Sequence, residues 1–250
     1  MKPATTVVKV CRVLEAMNGH PSVGLTEVAQ RTGLLPSDVH RILGSLETCG
    51  YVIQSPETRR YKAGRRLLQL GWSVTHTSAL QRAGLPALFQ LSKRCGATAN
   101  LAVFDRASSE VILVHQAEVS GDGRFEGCIG DAKPVHCTAL GKAVLANLDQ
   151  VSRSRAIDRS RLAERTPYTI TCLNVLEQEL LNVRRAGYAQ DCEEMTEAAC
   201  CLASPIFDQA GAVIASIGIT MSARRFSSCP KKLFVDNVLT SAAMLSNRHP

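Results

Sequence analysis

The amino-acid sequence predicts an α+β protein made of a small helical domain, a connecting helix and a larger antiparallel sheet flanked by helices. Apolar residues recur at helical spacing three times within the first fifty residues. A β-prone run, a turn and a basic run follow, between residues 51 and 62. Beyond residue 97, strand-like alternation is interleaved with helical stretches, which is typical of the α+β class.

The N-terminal domain is predicted to hold three short helices around one core. The first spans about 7–18, and a shorter second helix begins near Leu25, with Thr26 as the candidate N-cap. Gly33 stands where a tight turn between two crossed helices needs a positive φ. Pro36 suits the first turn of the third helix, which extends to Thr48. This spacing is that of a helix-turn-helix.

The third helix combines an apolar stripe with a polar one. Its apolar residues begin at Val39 and recur at i, i+3, i+4 and i+7. On the opposite stripe, Gly44 leaves room for close approach to a partner surface. Because the second helix of a helix-turn-helix lies in the major groove, this polar stripe is expected to face DNA. The candidate DNA contacts are Ser37, His40, Arg41 and Ser45, with Arg41 the candidate for a guanine edge.

A basic hairpin follows the third helix. Residues 51–53 are β-prone, 55–57 form a turn, and the chain returns through Arg59, Arg60 and Lys62, which are predicted to contact phosphate or the minor groove. Through residue 76 the chain has ten Lys and Arg against five Asp and Glu; the remainder has nineteen against seventeen. The basic excess therefore coincides with the helix-turn-helix and its wing, as attraction to phosphate requires. A winged helix-turn-helix domain is predicted over 1–63, and a trihelical module without DNA binding is the alternative.

The rest of the chain is predicted to form a linker helix over 64–78 and a second domain over 79–250. The linker carries apolar residues on a segment without a core of its own, which indicates a subunit contact. In the second domain, helices are predicted at 80–93, 138–147, 174–186 and 231–246, and strands at 98–104, 111–117, 124–129, 188–191, 202–207 and 213–220.

Composition excludes several classes of protein. No apolar run is long enough to span a bilayer, and the N-terminus lacks the apolar region of a signal peptide, so a cytoplasmic location is predicted. Ten cysteines include no C-x-x-C pair, which argues against a zinc ribbon or a thioredoxin motif. No metal site, cofactor or catalytic residue is predicted. The polar set that keeps a metal alternative open is His136, Cys137, Asp191, Cys192, Cys200 and Cys201, but it lacks a compact ligand pair.

Two separate signatures resemble the IclR family of bacterial transcriptional regulators. PVHCTALGKAVLA, at 134–146, resembles the family's P-x-H-x-T-A-x-G-K-A run. The stretch 187–219, with GYAQDCEE, CLASPIFD and a closing strand, resembles the family's second signature. In addition, HRIL at 40–43 resembles part of the second helix of the family's helix-turn-helix. The resemblance covers nearly the whole chain. It implies a DNA-binding regulator with a GAF-like effector domain, assembled as a dimer or a dimer of dimers.

A small-molecule site is expected beside the helix that begins near Thr138. Its free backbone N–H groups suit a carboxylate. By position, the resemblance implies a lining of Ala139, Leu140, Asp191, Cys201, Gly218 and Thr220, with His136 near the rim. The family often has serines where this chain has Gly218 and Thr220, and Gly-Ala where it has Ala139-Leu140. Fewer hydroxyls and more apolar bulk favour an aromatic or longer aliphatic acid over a small polar one.

Four functions remain to be weighed from the sequence. A transcription factor whose operator affinity is controlled by a small organic acid accounts for the winged helix-turn-helix domain, the linker helix and both signatures. A metal-responsive or redox-responsive regulator, with Cys200 or Cys201 as sensor, would bind DNA through the same domain but respond to a metal or an oxidant. A pocket enzyme using Asp191 or Cys201 is a third possibility, and a protein-interaction module is the fourth. Repressor and activator both stay open, because the outcome depends on where the operator lies.

Overall fold

The computed structural model describes residues 4–76, 79–118 and 127–246. The chain divides into two compact units, Met1–Thr77 and Ser78–Pro250. In unit 1 the elements are α1 (Thr5–Glu15), α2 (Leu25–Thr32), α3 (Pro36–Thr48), β1 (Val52–Gln54), β2 (Tyr61–Ala63) and α4 (Arg65–His76). The strands β1 and β2 form an antiparallel hairpin, with Ile53 opposite Lys62.

Unit 1 is built on a small core shared by three helices and the hairpin. Its fully buried residues include Val13 on α1, Val28 on α2 and Leu43 on α3. Gly33 ends α2 with φ of 67°, as the tight turn requires. The predicted N-cap was wrong: α2 begins at Leu25, and Gly24 rather than Thr26 precedes it as the cap.

Unit 2 holds one six-stranded sheet in the order β5-β4-β3-β8-β7-β6, and every neighbouring pair is antiparallel. Its strands are β3 (Thr98–Asp105), β4 (Glu110–Ala117), β5 (Ala132–Lys133), β6 (Ala189–Cys192), β7 (Ala199–Phe207) and β8 (Val213–Ser222). Its helices are α5 (Ala79–Cys95), α6 (Ala139–Leu145), α7 (Gln150–Ser160), α8 (Leu173–Ala186), α9 (Ala223–Ser228) and α10 (Lys231–Ser246).

Helices cover both faces of this sheet. Alternate strand residues such as Leu202 and Ile217 pack with α5 and α10, whereas Ala203 and Ala102 point to the other face and pack with α6 and α8. The period of two along each strand thus separates two cores. Toward the end of the sheet where α6 begins, the second face is not filled by apolar side chains, and a cavity lies there.

The α+β class is confirmed, and the differences from prediction lie in polar or short elements. The helix α7 was not predicted, because its sequence is rich in arginine and serine and buries only Ala156. The short α9 was missed as well, since none of its residues is buried. In the predicted strand 124–129, residues 124–126 lie outside the described part, and 127–129 do not pair as a strand; the edge strand is instead Ala132–Lys133.

Candidate functional site

One face of α3 is polar and open to solvent. Ser37, His40, Arg41 and Ser45 are all exposed, and 78% of the Arg41 side chain is accessible. The Arg41 guanidinium pairs with Asp38, with Nη2 3.4 Å from Oδ1, while Lys9 of α1 holds the same carboxylate at 2.7 Å. A Cβ built on Gly44 meets nothing within 4 Å. The helix therefore presents exposed polar side chains on both sides of an open position at Gly44, which suits close approach to a DNA groove.

The hairpin after α3 divides its cations between solvent and structure. Arg59 and Lys62 are exposed. Arg60 instead contacts Glu27 of α2, with Nη1 to Oε1 at 2.9 Å and Nη2 to Oε2 at 3.0 Å, and its Nε donates to the Ser22 hydroxyl at 3.0 Å. The hydrogen bonds from Arg60 hold the pKa of Glu27 below its usual value. The Arg60 guanidinium thus fastens the wing to α2, and its predicted contact with phosphate stays a prediction.

The second site is a cavity of about 120 Å³ in unit 2, between the sheet and the first turn of α6. Six of the seven residues predicted for the effector lie in its wall: Ala139, Leu140, Asp191, Cys201, Gly218 and Thr220. His136 does not. It is fully buried away from the cavity, and its Nε2 lies 3.0 Å from the Ala163 carbonyl oxygen. Its predicted place near the rim is therefore corrected.

A row of polar side chains crosses four strands of the cavity wall. Gln116 on β4 donates to Asn100 on β3 at 3.0 Å, and Asn100 donates to the Thr220 hydroxyl on β8 at 3.1 Å. Cys201 on β7 lies 3.3 Å from the same hydroxyl. Because Thr220 accepts from Asn100, its own hydrogen is left to donate to Cys201 or to a ligand. The row offers a fixed set of polar groups beside the apolar part of the wall.

Asn100 and Gln116 were not singled out from the sequence. Strand alternation does place both on the cavity face, but only the pairing of β4 with β3 and of β3 with β8 brings them beside Thr220. Lys133, Met195 and Thr196 also line the cavity and were not predicted. Lys133 supplies an ammonium group, which is 3.3 Å from Asp131.

The acidic side of the cavity is formed by Asp191, which is 3% exposed. Burial raises the pKa of its carboxyl to about 7, although the Glu194 N–H, 2.8 Å from Oδ1, opposes the shift. Next to it, the buried Lys142 pairs with Glu194 at 2.6 Å and Glu179 at 3.3 Å. The carboxyl in the cavity is therefore poised to change charge near neutral pH.

The first turn of α6 closes the cavity. Thr138 caps the helix by accepting the Gly141 N–H at 3.0 Å. The N–H groups of Ala139 and Leu140 belong to the first turn of a helix, where no intrahelical acceptor is available. A Cβ on Gly141 would stand 2.4 Å from Val135 Cα, so glycine lets the preceding segment pack directly on the helix.

Within the described ranges, no cluster of three His, Cys, Asp or Glu side chains is arranged to hold a metal ion. No helix among the same residues has the length and apolar character of a membrane span.

Family models match both units of the chain. The IclR helix-turn-helix domain matches residues 6–56, and the model described as bacterial transcriptional regulator IclR C-terminal matches residues 72–247. The chain belongs to the IclR family of bacterial transcriptional regulators. The family is one of regulators and not of enzymes, which sets aside a pocket enzyme built on Asp191 or Cys201.

Relatives and solved structures match this chain over most of its length. The HTH-type transcriptional regulator KdgR of Dickeya chrysanthemi is 31% identical over 244 residues, which cover 98% of this chain and 79% of KdgR. A crystal structure of an IclR transcriptional regulator from Alicyclobacillus acidocaldarius matches with a TM-score of 0.85 at 28% identity, over 100% of both chains. An IclR homologue from Microbacterium hydrocarbonoxydans, solved in complex with 4-hydroxybenzoate, has the same fold: TM-score 0.84, 22% identity, 98% of both chains covered.

This member of the IclR family is accordingly a DNA-binding transcriptional regulator. Its helix-turn-helix lies in unit 1 and the matched C-terminal domain corresponds to unit 2.

Proposed function

We propose that this regulator binds a small organic acid in the cavity beside α6, and that the bound acid changes its affinity for operator DNA. The observation that carries the proposal is the combination of an apolar cavity with a hydrogen-bonded polar row and the ammonium group of Lys133. Small-molecule sites are typically of this kind, with a few placed polar groups in an apolar wall.

The polar groups suit a carboxylate. Lys133 supplies a positive charge, and the Thr220 hydroxyl retains a hydrogen to donate. Ala139 and Leu140 also line the cavity, and their N–H groups in the first turn of α6 are two further candidate donors. Hydrogen bonds from charged or polar donors to a carboxylate are stronger than neutral ones, so this arrangement favours an acid over a neutral ligand.

The apolar groups suit an aromatic or long aliphatic acid. Leu113, Leu140 and Met195 lie in the wall together with Ile219, and they offer apolar contact to an aromatic ring or an alkyl chain. The bound 4-hydroxybenzoate of the Microbacterium homologue supports the same ligand class. We therefore choose 4-hydroxybenzoate as the probe, with glyoxylate and pyruvate as small comparators.

In the proposed DNA complex, α3 lies in the major groove, with Ser37, His40, Arg41 and Ser45 toward the bases. Arg59 and Lys62 contact the backbone beside it. One winged helix-turn-helix domain contacts few base pairs, so we infer a dimer, or a dimer of dimers, on a pseudo-palindromic operator. The exposed Leu68 and Leu70 of α4, 72% and 55% accessible, support a subunit contact through this helix.

Control of DNA binding then follows from linkage. An acid that binds one assembly state better than another shifts the population toward that state, and operator affinity changes by the same coupling free energy. No contact between the acid and DNA is needed.

The test combines calorimetry with gel-shift binding to the intergenic DNA beside the gene. Wild type is expected to bind 4-hydroxybenzoate more tightly than glyoxylate or pyruvate, and the acid is expected to change operator affinity. Thr220→Val removes the donor hydroxyl and is expected to weaken 4-hydroxybenzoate binding about tenfold. Thr240→Val, an exposed threonine on α10, is the matched control and leaves binding unchanged.

The possible failures are distinct. Specific operator binding without binding of any acid would remove the proposed effector and leave the DNA-binding role intact. Equal weakening by Thr220→Val and Thr240→Val would remove the cavity assignment. A melting temperature measured for each variant separates loss of the hydroxyl from loss of the fold.

A further inference from the structure

Two cysteines face each other at the end of the β6–β7 hairpin. Cys192 and Cys200 are direct partners in the register. One step further into the turn, the Glu193 N–H donates to the Ala199 carbonyl at 2.8 Å. Hydrogen-bonded and non-hydrogen-bonded pairs alternate along an antiparallel ladder, so the cysteines occupy a non-hydrogen-bonded position, where Cα atoms are about 4.5 Å apart. Disulfides typically join Cα atoms separated by about 4.4–6.8 Å.

As direct cross-strand partners, the two side chains lie on the same face of the hairpin. Burial raises the pKa of Cys200 to about 12, and the neighbouring Cys192 shifts it in the same direction. Cys192 is half-buried, whereas Cys200 is buried. A reagent from solvent therefore reaches Cys192 first, whereas the less accessible Cys200 remains a protonated thiol.

We propose that Cys192 and Cys200 form a reversible disulfide when the protein meets a hydroperoxide. With hydrogen peroxide, the Cys192 thiolate attacks one oxygen: an S–O bond forms, the O–O bond breaks, and the leaving hydroxide takes a proton to become water. Cys200 sulfur then attacks the sulfenic sulfur of Cys192. The S–S bond forms as the S–O bond breaks, and the oxygen leaves as a second water with the Cys200 proton. The two thiols lose two electrons, which reduce one peroxide.

The cross-link would constrain the turn that borders the cavity. Asp191 and Cys201, the next pair in the register, line the cavity, and so do Met195 and Thr196 within the turn. Because side chains alternate across a strand, the disulfide lies on the opposite face of the sheet from Asp191 and leaves the cavity volume unfilled. The formation of the bond does not depend on the proposed effector; only its consequence for ligand binding rests on that proposal.

The test uses the full chain, first reduced and then treated with hydrogen peroxide and alkylated. A glutamate-specific protease cuts at Glu193, Glu194 and Glu197 and so separates the two cysteines. Wild type is expected to give two peptides joined through Cys192 and Cys200, released by dithiothreitol. The variant Cys201→Ser, which removes the adjacent thiol, keeps the link. Cys192→Ser and Cys200→Ser abolish it.

A second readout requires no ligand. Amide hydrogen exchange over 193–198 is expected to slow in oxidised wild type and to stay unchanged in peroxide-treated Cys192→Ser. Overoxidised Cys192 without a cross-link, or Cys200 joined to any other cysteine, would overturn the proposal. Operator binding of each reduced variant verifies the fold, and alanine variants of the same two positions repeat the test if a serine variant unfolds.

Discussion

The two units carry their functional side chains in opposite ways. On α3, the polar stripe is exposed to solvent, and the opposite side of the helix packs through Val39, Leu43 and other buried residues. In the cavity, Asn100 and Thr220 are joined in a hydrogen-bonded row and Asp191 is almost fully buried. A surface that meets a large polyanion leaves its donors in water until the partner arrives. A site for a small molecule has its donors fixed beforehand.

The difference predicts how substitutions behave. A change on the exposed face of α3 should alter DNA binding with little effect on the free energy of unfolding. A change in the polar row should alter both ligand binding and stability, because a buried partner loses its hydrogen bond. Comparing the two effects in one protein therefore tests whether each site is correctly placed.

Arg41→Ala should give the largest separation of the two effects. Loss of a guanine contact costs about 1–3 kcal/mol of discrimination, so specific operator affinity should fall about 10- to 100-fold. The melting temperature and the affinity for 4-hydroxybenzoate should remain those of wild type. Fluorescence anisotropy with specific and scrambled duplexes measures the first, and calorimetry the second. Arg12→Ala, an exposed cation on α1, is the control; equal losses from both variants would reduce the effect of Arg41 to general charge.

Gly44→Leu sharpens the comparison because stability and binding should move in opposite directions. A side chain at Gly44 meets nothing within the protein, and replacing glycine within a helix stabilises it by up to about 1 kcal/mol. In the proposed DNA complex, the surface of α3 at Gly44 lies against DNA. A leucine side chain there would keep the two surfaces apart, so operator affinity should fall about tenfold. A higher melting temperature with unchanged DNA binding would place Gly44 outside the interface. Chemical denaturation and anisotropy on the same sample decide this.

Sequence patterns predicted the first unit better than the second for a physical reason. Helical periodicity fixes which side chains of α3 face outward, and the four proposed base contacts are indeed exposed. Arg60 looked equivalent to its neighbour Arg59, yet only the approach of α2 in space supplies Glu27 as its partner. A local pattern does not contain that contact.

In the second unit, the family signatures predicted six of the residues that line the cavity. They pointed to Ala139, Asp191 and the other lining residues, but they gave no reason to choose Asn100 or Gln116. Those two act only through the register across three strands, which no local spacing encodes. The pairing of Cys192 with Cys200 is also set by the strand register. The two cysteines are eight positions apart in the chain, yet they stand directly opposite each other in the β6–β7 ladder.

The smallest predicted effect is a pH dependence of ligand binding in the cavity. The pKa of Asp191 is raised to about 7, so at pH 6 its carboxyl is mostly protonated and can donate to an acid, and at pH 8 it is ionised and repels one. A carboxylate ligand is ionised at both values, so 4-hydroxybenzoate affinity should fall about fivefold from pH 6 to pH 8, an effect on the order of 1 kcal/mol. Calorimetry across this range should show the decline in wild type and a flat profile in Asp191→Asn, which stays neutral and can still accept the Glu194 N–H. Asp208→Asn is the control: Asp208 is half-buried, accepts the Ala212 N–H and does not line the cavity, so this variant should keep the wild-type slope. A slope that survives in Asp191→Asn would assign the titration to another group, whereas a slope lost only there would identify the buried carboxyl as the group whose charge controls ligand binding in the cavity.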